Sequence, residues 1–333
     1  MTKRDVLTAA TFSAGELENL IELTERMKEM RSGQVLAGRT VALLFFDRSL
    51  RTRVSFECAT VQLGGHCLNL FAENELYGLE PEDRVVMDGS AEEHVKDAAR
   101  TLSRYVDALG VRALDRSRSW EVDRQERLLH AYAKYATVPV INLESTLEHP
   151  CQAIADIVTI KQNLIDLKGR KLTLAWTDHP DPKGLGPCHS LLHVATMLGM
   201  DVTLAHPLGF ELDEETVGQA RTNAADSGGG LRIVNDLESG LDGAEVLYAR
   251  AWGSTKYWSD PEREAMVKRS LHSWRIDEAA MARTANALFM HPLPVRRNVV
   301  ATDSVLDGPR SVIYDQAENR LHVQKALLTH LLG

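Results

Sequence analysis

Short apolar runs separated by helix-length polar stretches recur down nearly the whole chain, and this alternation limits the fold more than any other feature. VALLFF at 41–46, CLNLF at 67–71, the DALGVRAL run and VPVIN at 138–142 read as strands, and the first is apolar enough to be covered on both faces. Between them lie helical patterns near Arg51, over 92–106 and over 123–135. An earlier helix opens with Ser13 and Glu16 as a capping box and carries Leu17, Leu20, Ile21, Thr24 and Met27 on one side. A helix over 151–163 follows, and the pattern restarts with KLTLAWT (171–177), a helix from Ser190 to Leu198, DVTLAHP (201–207), LRIVND, AEVLYA and ANALFMH. The last segment, 317–332, is helical in pattern. Strand–helix alternation of this kind predicts an α/β protein with two domains, each a mostly parallel sheet flanked by helices, joined by crossing helices.

At 333 residues the chain suits two domains of about 150 residues each. The expected division is 1–150, completed by the C-terminal helix at about 317–333, and 151–316. The 47 Asp and Glu against 38 Lys and Arg give a net charge of −9, which speaks against a nucleic-acid partner. Cys58, Cys67, Cys151 and Cys188 form no CxxC pair, and the twelve histidines include no HExxH. No apolar run reaches the roughly 18 residues that span a bilayer, and MTKRDVLTAATFSAGE has no signal-peptide core. The expectation is a cytoplasmic protein without membrane partner, metal or cofactor. SGGG at 227–230 precedes a strand rather than following one, and no Walker A loop is present.

The polar group that stands out is Ser49-Leu50-Arg51-Thr52-Arg53, placed where a buried strand gives way to a helix. Helix-start amides, two hydroxyls and two guanidinium forks together suit a phosphate dianion; the competing reading is an N-terminus followed by surface arginines. Arg112, His149, Gln152 and Arg320 lie near other strand ends or in the last helix. Each alone is more often structural, but the carboxyl edge of a parallel sheet is where α/β folds bind ligands. Arg112 and His149 would polarise an acyl oxygen, Gln152 would orient an amide, and Arg320 would add an anion contact. Glu92 is read as beginning a helix, where it serves equally as a terminal charge or as a functional group. Glu144 follows a strand and faces either solvent or a cationic substrate group. The prolines of HPLPVRRN (291–298) stiffen a loop whose carbonyls can accept from a ligand NH2. Cys151 has no evident base beside it, and Trp252 and Trp258 read as core or wall residues.

SLRTR at 49–53, GVR at 110–112, HPCQ at 149–152, HPLP at 291–294 and ENRLHVQKA at 318–326, in this order, resemble the aspartate/ornithine carbamoyltransferase family across nearly the whole chain. VMDGSAEEH at 86–94, HPDP at 179–182, DVTLAHP, YARAWG at 248–253 and HPLPVRRN resemble its N-acetylornithine branch more closely, and the SMG loop of the ornithine enzymes is absent. The resemblance implies transfer from carbamoyl phosphate to the side-chain amine of N-acetyl-L-ornithine, in arginine biosynthesis, without cofactor or metal. It assigns Arg53, Arg112 and His149 as catalytic. Ser49, Leu50, Arg51, Thr52, Arg53, Tyr77, Arg112, His149, Gln152, Pro292, Leu293 and Arg320 would bind carbamoyl phosphate. Glu92, Glu144, His179, Arg250, Leu293 and Arg296 would bind the acylated ornithine, with Glu92 selecting the acetyl over the succinyl group. Arg297 and Asn298 stand near the family's recognition loop.

The resemblance further implies a homotrimer with sites between subunits, and a knotted second domain involving 179–187. The chain departs from the pattern at Pro292, where the family has cysteine, and at Tyr77, where the branch has tryptophan. Arg250 stands for lysine, Lys183-Gly184 for Leu-Asn, and Val300 for lysine. Transfer to N-succinylornithine, ornithine or another amine, and a non-catalytic anion-binding homologue, are the alternative readings.

Overall fold

The computed structural model describes residues 3–115, 117–181 and 183–333. Pro182 of the HPDP run therefore lies outside the described residues. The chain divides into two compact units, one made of 1–117, 121–151 and 319–333, the other of 118–120 and 152–318.

In the first unit, the capping box forms as expected at the head of α1 (Ala14–Glu29), with Ser13 and Glu16 bonding each other's backbone N–H. Strand β1 (Thr40–Phe45) leads through a short turn into α2 (Arg51–Gln62) and then β2 (His66–Phe71). Helix α3 (Val95–Leu102), strand β3 (Ala108–Ala113), helix α4 (Arg127–Tyr135) and strand β4 (Val140–Ser145) follow. The sheet is parallel throughout, in the order β2-β1-β3-β4. Both faces of β1 are covered, which is why its sequence shows no polar alternation. Leu44, Leu109 and Val111 pack with Val95 and Ala99 of α3 and with Leu129 and Tyr132 of α4.

Two expected helices are shorter than their periodicity. The stretch 92–106 is helical only from Val95 to Leu102, because the His94 imidazole accepts from Lys96 N–H and caps the helix there. Glu92 therefore does not begin the helix; its N–H donates to the Gly78 carbonyl from an exposed loop. The stretch 123–135 is interrupted at Glu126, whose φ of 47° breaks the helical path before α4.

Helix α5 (Pro150–Leu164) contributes residues to both units. The second unit continues with β5 (Lys171–Trp176), α6 (Gly186–Met197), β6 (Asp201–Ala205), α7 (Glu214–Ser227), β7 (Gly230–Val234), β8 (Val246–Arg250), α8 (Pro261–Lys268) and β9 (Leu288–Met290). Its sheet is also all parallel, in the order β9-β8-β5-β6-β7. The last helix, α9 (Ile313–Leu332), returns the chain to the first unit, where Lys325 Nζ donates to the Met27 carbonyl at 2.9 Å. Among the described residues no helix is long and apolar enough to cross a membrane.

Strand order reverses once in each sheet. After β1 the chain adds β2 on one side and β3 on the other; after β5 it adds β6 and β7 on one side and β8 and β9 on the other. At these reversals the connections leave in opposite directions, opening a crevice at the carboxyl ends of the two central strands. Phe45 lies in register with Arg112 at the first, and Trp176 with Arg250 at the second.

The β1–β3 pairing needs Gly110. A Cβ there would lie 2.8 Å from a Leu43 methyl and 3.0 Å from both Leu143 methyls. We expect Gly110→Val to cost about 1–3 kcal/mol of stability through overpacking; a urea midpoint equal to that of the parent protein would contradict this.

Candidate active site

The first unit gathers its cations at the β1/β3 reversal. The N-cap Leu50 has no side-chain hydrogen bond to the first turn of α2, so the opening amides are not capped by their own sequence. Thr52 is buried and its Oγ1 accepts from Arg320 Nη2 at 2.5 Å, which draws α9 to the start of α2 across 268 residues of sequence. Burial lowers the pKa of the half-buried Arg51. Arg53 is exposed with its guanidinium 5.1 Å from the centre of the Phe71 ring. Ser49 is half-buried and Leu50 exposed.

A bulge places the second element. Val111 pairs with Asn142 but Arg112 pairs with Glu144, so Leu143 is the extra residue of β4. Glu144 is accordingly inside the strand rather than after it, with an unusual φ of 151°. Its Oε2 bonds Arg112 Nη1 and lies 3.7 Å from His149 Nε2. The carboxylate is thus committed to the arginine within this chain, and an anion arriving at Arg112 meets a guanidinium whose position Glu144 already fixes.

The segment 145–149 that carries His149 is braced from several sides. Ser145 N–H donates to the Glu148 carbonyl at 2.8 Å, Asn142 Nδ2 to Ser145 Oγ at 2.7 Å, and Leu147 N–H to Glu126 Oε1 at 2.6 Å. Pro150 then opens α5 immediately after His149. Tyr77 and Glu92 stand apart: both are exposed, and no hydrogen bond or ion pair joins either to this cluster. Cys151 is fully buried and its thiol is pushed up to about 12, first by burial, so it offers no nucleophile.

The second unit holds the remaining predicted residues at its own reversal. Arg250 ends β8, is buried, and donates through Nη1 to the Pro292 carbonyl at 3.4 Å; its buried Nε has no hydrogen-bond partner. Pro292 is buried, and the Leu293–Pro294 peptide is cis. His179 follows β5; its carbonyl accepts from Lys268 Nζ at 3.4 Å and its Nδ1 accepts from Asp181 N–H at 3.0 Å. Burial, aided by the charges of Lys183 and Arg296, brings His179 down to about 4, so the ring is neutral at pH 7. Arg296 pairs with Asp181 at 2.9 Å on the surface. Arg297 is engaged locally by Asp303 and Asp307, and Asn298 by Asp303, so neither points to a ligand role.

Two departures from the family pattern meet here. Lys183 accepts through its carbonyl from Gly253 N–H at 3.0 Å, beside the strand end that carries Arg250. Its pKa is lowered, first by burial, with the Asp181 carboxylate opposing the shift and the cations Arg250, Arg296 and Lys268 adding to it. Lys268 is matched by Glu264 at 2.5 Å and Arg296 by Asp181, while Arg250 and Lys183 have no carboxylate at ion-pair distance among the described residues. Val300 is fully buried and its carbonyl accepts from Ile276 N–H, an apolar structural position. Polar residues that sequence reasoning did not assign to the site include Glu126 in the first unit and Lys183, Lys268, Asp156 and Gln316 in the second. Among the described residues no group of three or more His, Cys, Asp or Glu side chains is arranged to hold a metal ion.

Glu126 yields a pH prediction. It is buried, and burial is the main cause that raises its carboxyl from 4.5 to about 7. A raised carboxyl pKa makes the fold the better proton binder, so its contribution is full below pH about 4.5 and is lost as pH rises through 7. Glu126→Gln keeps an acceptor for Leu147 and removes the titration. Wild-type stability should fall relative to this variant, by up to about 3 kcal/mol, between pH 4.5 and 8. Parallel unfolding midpoints for the two proteins across that range would contradict the assignment.

The comparisons with known proteins agree with this geometry. Residues 4–162 match the family model for the aspartate/ornithine carbamoyltransferase carbamoyl-P binding domain, and 183–331 that for its Asp/Orn binding domain. The N-acetylornithine carbamoyltransferase of Xanthomonas campestris pv. campestris is 42% identical over 100% of this chain and 99% of its own length. The anabolic ornithine carbamoyltransferase of Pyrococcus furiosus is 36% identical over 99% of this chain and 96% of its own. A crystal structure of acetylornithine transcarbamylase complexed with acetylcitrulline superposes with a TM-score of 0.97 at 42% identity, covering 99% of both chains. Two family models in sequence, full-length relatives and a shared fold establish that this chain belongs to the aspartate/ornithine carbamoyltransferase family.

Proposed function

We propose that the protein transfers the carbamoyl group of carbamoyl phosphate to the side-chain amine of N-acetyl-L-ornithine, giving N-acetyl-L-citrulline and phosphate, as a step of arginine biosynthesis. The observation that carries the donor half is the cluster in the first unit: Arg51, Thr52 and Arg53 at the uncapped start of α2, Arg320 bonded to Thr52, and Arg112 with His149 around Glu144. Higher identity to the acetylornithine enzyme than to the ornithine enzyme supports the acceptor.

In the reaction the neutral amine forms a C–N bond to the carbamoyl carbon, the C–O bond to phosphate breaks, and the amine proton passes to the departing phosphate. The phosphate dianion is received by the guanidinium groups and by the α2 amides, as a helix start receives an anion. Arg112 and His149 donate to the carbamoyl oxygen as it gains charge. The mixed anhydride is already activated, so the protein's work is placement and charge stabilisation. The groups of the second unit, Arg250 above all, receive the acceptor's carboxylate. The exposure of Tyr77 and Glu92 on the first unit suits a homotrimer in which a neighbouring copy completes each site.

A second reading rests on Lys183. Arg250 has no carboxylate at ion-pair distance among the described residues, and Lys183 adds a second cation that Asp181 only partly offsets, which favours an acceptor with two carboxylates, such as N-succinylornithine, over one. Glu92, itself anionic, opposes that choice. Ureido product should be measured with ornithine, N-acetylornithine, N-succinylornithine, aspartate and putrescine in one assay. We expect the highest kcat/KM with N-acetylornithine; a larger value with N-succinylornithine would replace this acceptor by the second reading. For the donor site, Arg53→Ala should lower kcat/KM for carbamoyl phosphate by about 100-fold or more while the melting temperature stays within a few degrees. Unchanged steady-state constants would remove Arg53 from the site.

A further inference from the structure

In the second unit one buried carboxylate accepts from two glutamine amides at once. Asp156, fully buried on α5, accepts through the same Oδ1 from Gln152 Nε2 at 2.7 Å and from Gln316 Nε2 at 2.8 Å. Gln316, on α9 and also buried, accepts through Oε1 from His291 N–H at 3.0 Å. Its amide is tied at both ends, nitrogen to a carboxylate and oxygen to a main-chain N–H, so only one orientation satisfies both. The chain of contacts runs from Gln152 through Asp156 and Gln316 to the first residue of the HPLP segment. Its longest single contact, between Asp156 and Gln316, spans 160 residues of sequence.

We propose that Asp156 is a positioning residue that selects carbamoyl phosphate by its NH2 group. Holding the Gln152 nitrogen leaves Gln152 Oε1 as the outward atom, and among the described residues that oxygen makes no protein hydrogen bond. Holding Gln316 fixes His291 and hence the approach to the Pro292 and Leu293 carbonyls. Both devices present oxygen acceptors, the Pro292 carbonyl already accepting from Arg250 Nη1 at 3.4 Å on one side. A carbamoyl NH2 has two protons to give; a methyl group in its place has none. A Gln152 amide released from Asp156 can rotate by half a turn and present its own NH2, which repels the ligand's. The proposal rests on the reading of Gln152 and the HPLP carbonyls as carbamoyl contacts.

The test compares two donors that share phosphate and carbonyl and differ only at that group: carbamoyl phosphate, and acetyl phosphate as a competitive inhibitor. Asp156→Leu removes the acceptor at similar volume. Gln316→Met, a milder change that leaves the Asp156–Gln152 contact in place, serves if the first variant does not fold. In either variant the KM for carbamoyl phosphate should rise, about tenfold in Asp156→Leu and less in Gln316→Met, with the acetyl phosphate inhibition constant unchanged within twofold. An equal weakening of both ligands, or of neither, in a folded variant overturns the proposal and leaves the reaction standing. A wild-type protein that makes no ureido product from any acceptor overturns the reaction and this inference with it.

Discussion

The pairing of β1 with β3, and of β5 with β8, is the constraint on which the rest depends. In a parallel sheet every strand delivers its carboxyl end to the same edge, and only where strand order reverses do the following segments part and leave that edge open. Here the reversal strands end in Phe45 beside Arg112 and in Trp176 beside Arg250. The buried apolar runs of the strands thus do two things. They drive the core, and they carry an arginine to each opening on a backbone paired within the sheet.

The two openings differ in how their charge is balanced. Arg112 has Glu144 beside it in the resting protein, so its guanidinium is both desolvated and paired. In the proposed reaction the phosphate adds negative charge to Arg51, Arg53 and Arg320 beyond that pair. Arg250 is buried against a main-chain carbonyl, with no carboxylate at ion-pair distance among the described residues. A buried unpaired cation is costly, and the cost is recovered only when an anion arrives. In the proposed reaction the second opening is therefore selective by deficit, an anionic acceptor supplying the charge that Arg250 lacks, while Asp181 offsets part of the charge of Lys183.

What the sequence disclosed follows the same physics. SLRTR was legible because a contiguous strand–turn–helix boundary brings all five residues together without tertiary help. The strands were legible because doubly covered strands are continuously apolar. The position of Glu144 was not, because it depends on one extra residue in β4 that no composition signal marks. The helix start at Val95 was misplaced because histidine, an uncommon cap, replaces the usual Ser, Thr or Asp, and the acidic residues before it resemble a first turn. Arg320 and Thr52 meet only because α9 returns to the first unit, and periodicity gives the helix but not its destination.

Each unit also holds a buried acid that touches no substrate in the proposed reaction. Glu126 accepts the Leu147 N–H and thereby fixes the segment leading to His149; Asp156 accepts from two glutamines and thereby fixes Gln152 and His291. Burying a carboxyl group is unfavourable, and the rise of Glu126 to about 7 is the visible sign of that cost. Neutral substitutes of similar shape would be cheaper to bury but would accept fewer N–H groups or accept them in more than one orientation. Catalysis by placement tolerates little rotation of the contacting groups. The polar contacts deepest in each unit are therefore best understood as the means by which a fold held together by apolar strands keeps its ligand-facing amides and imidazoles in one orientation.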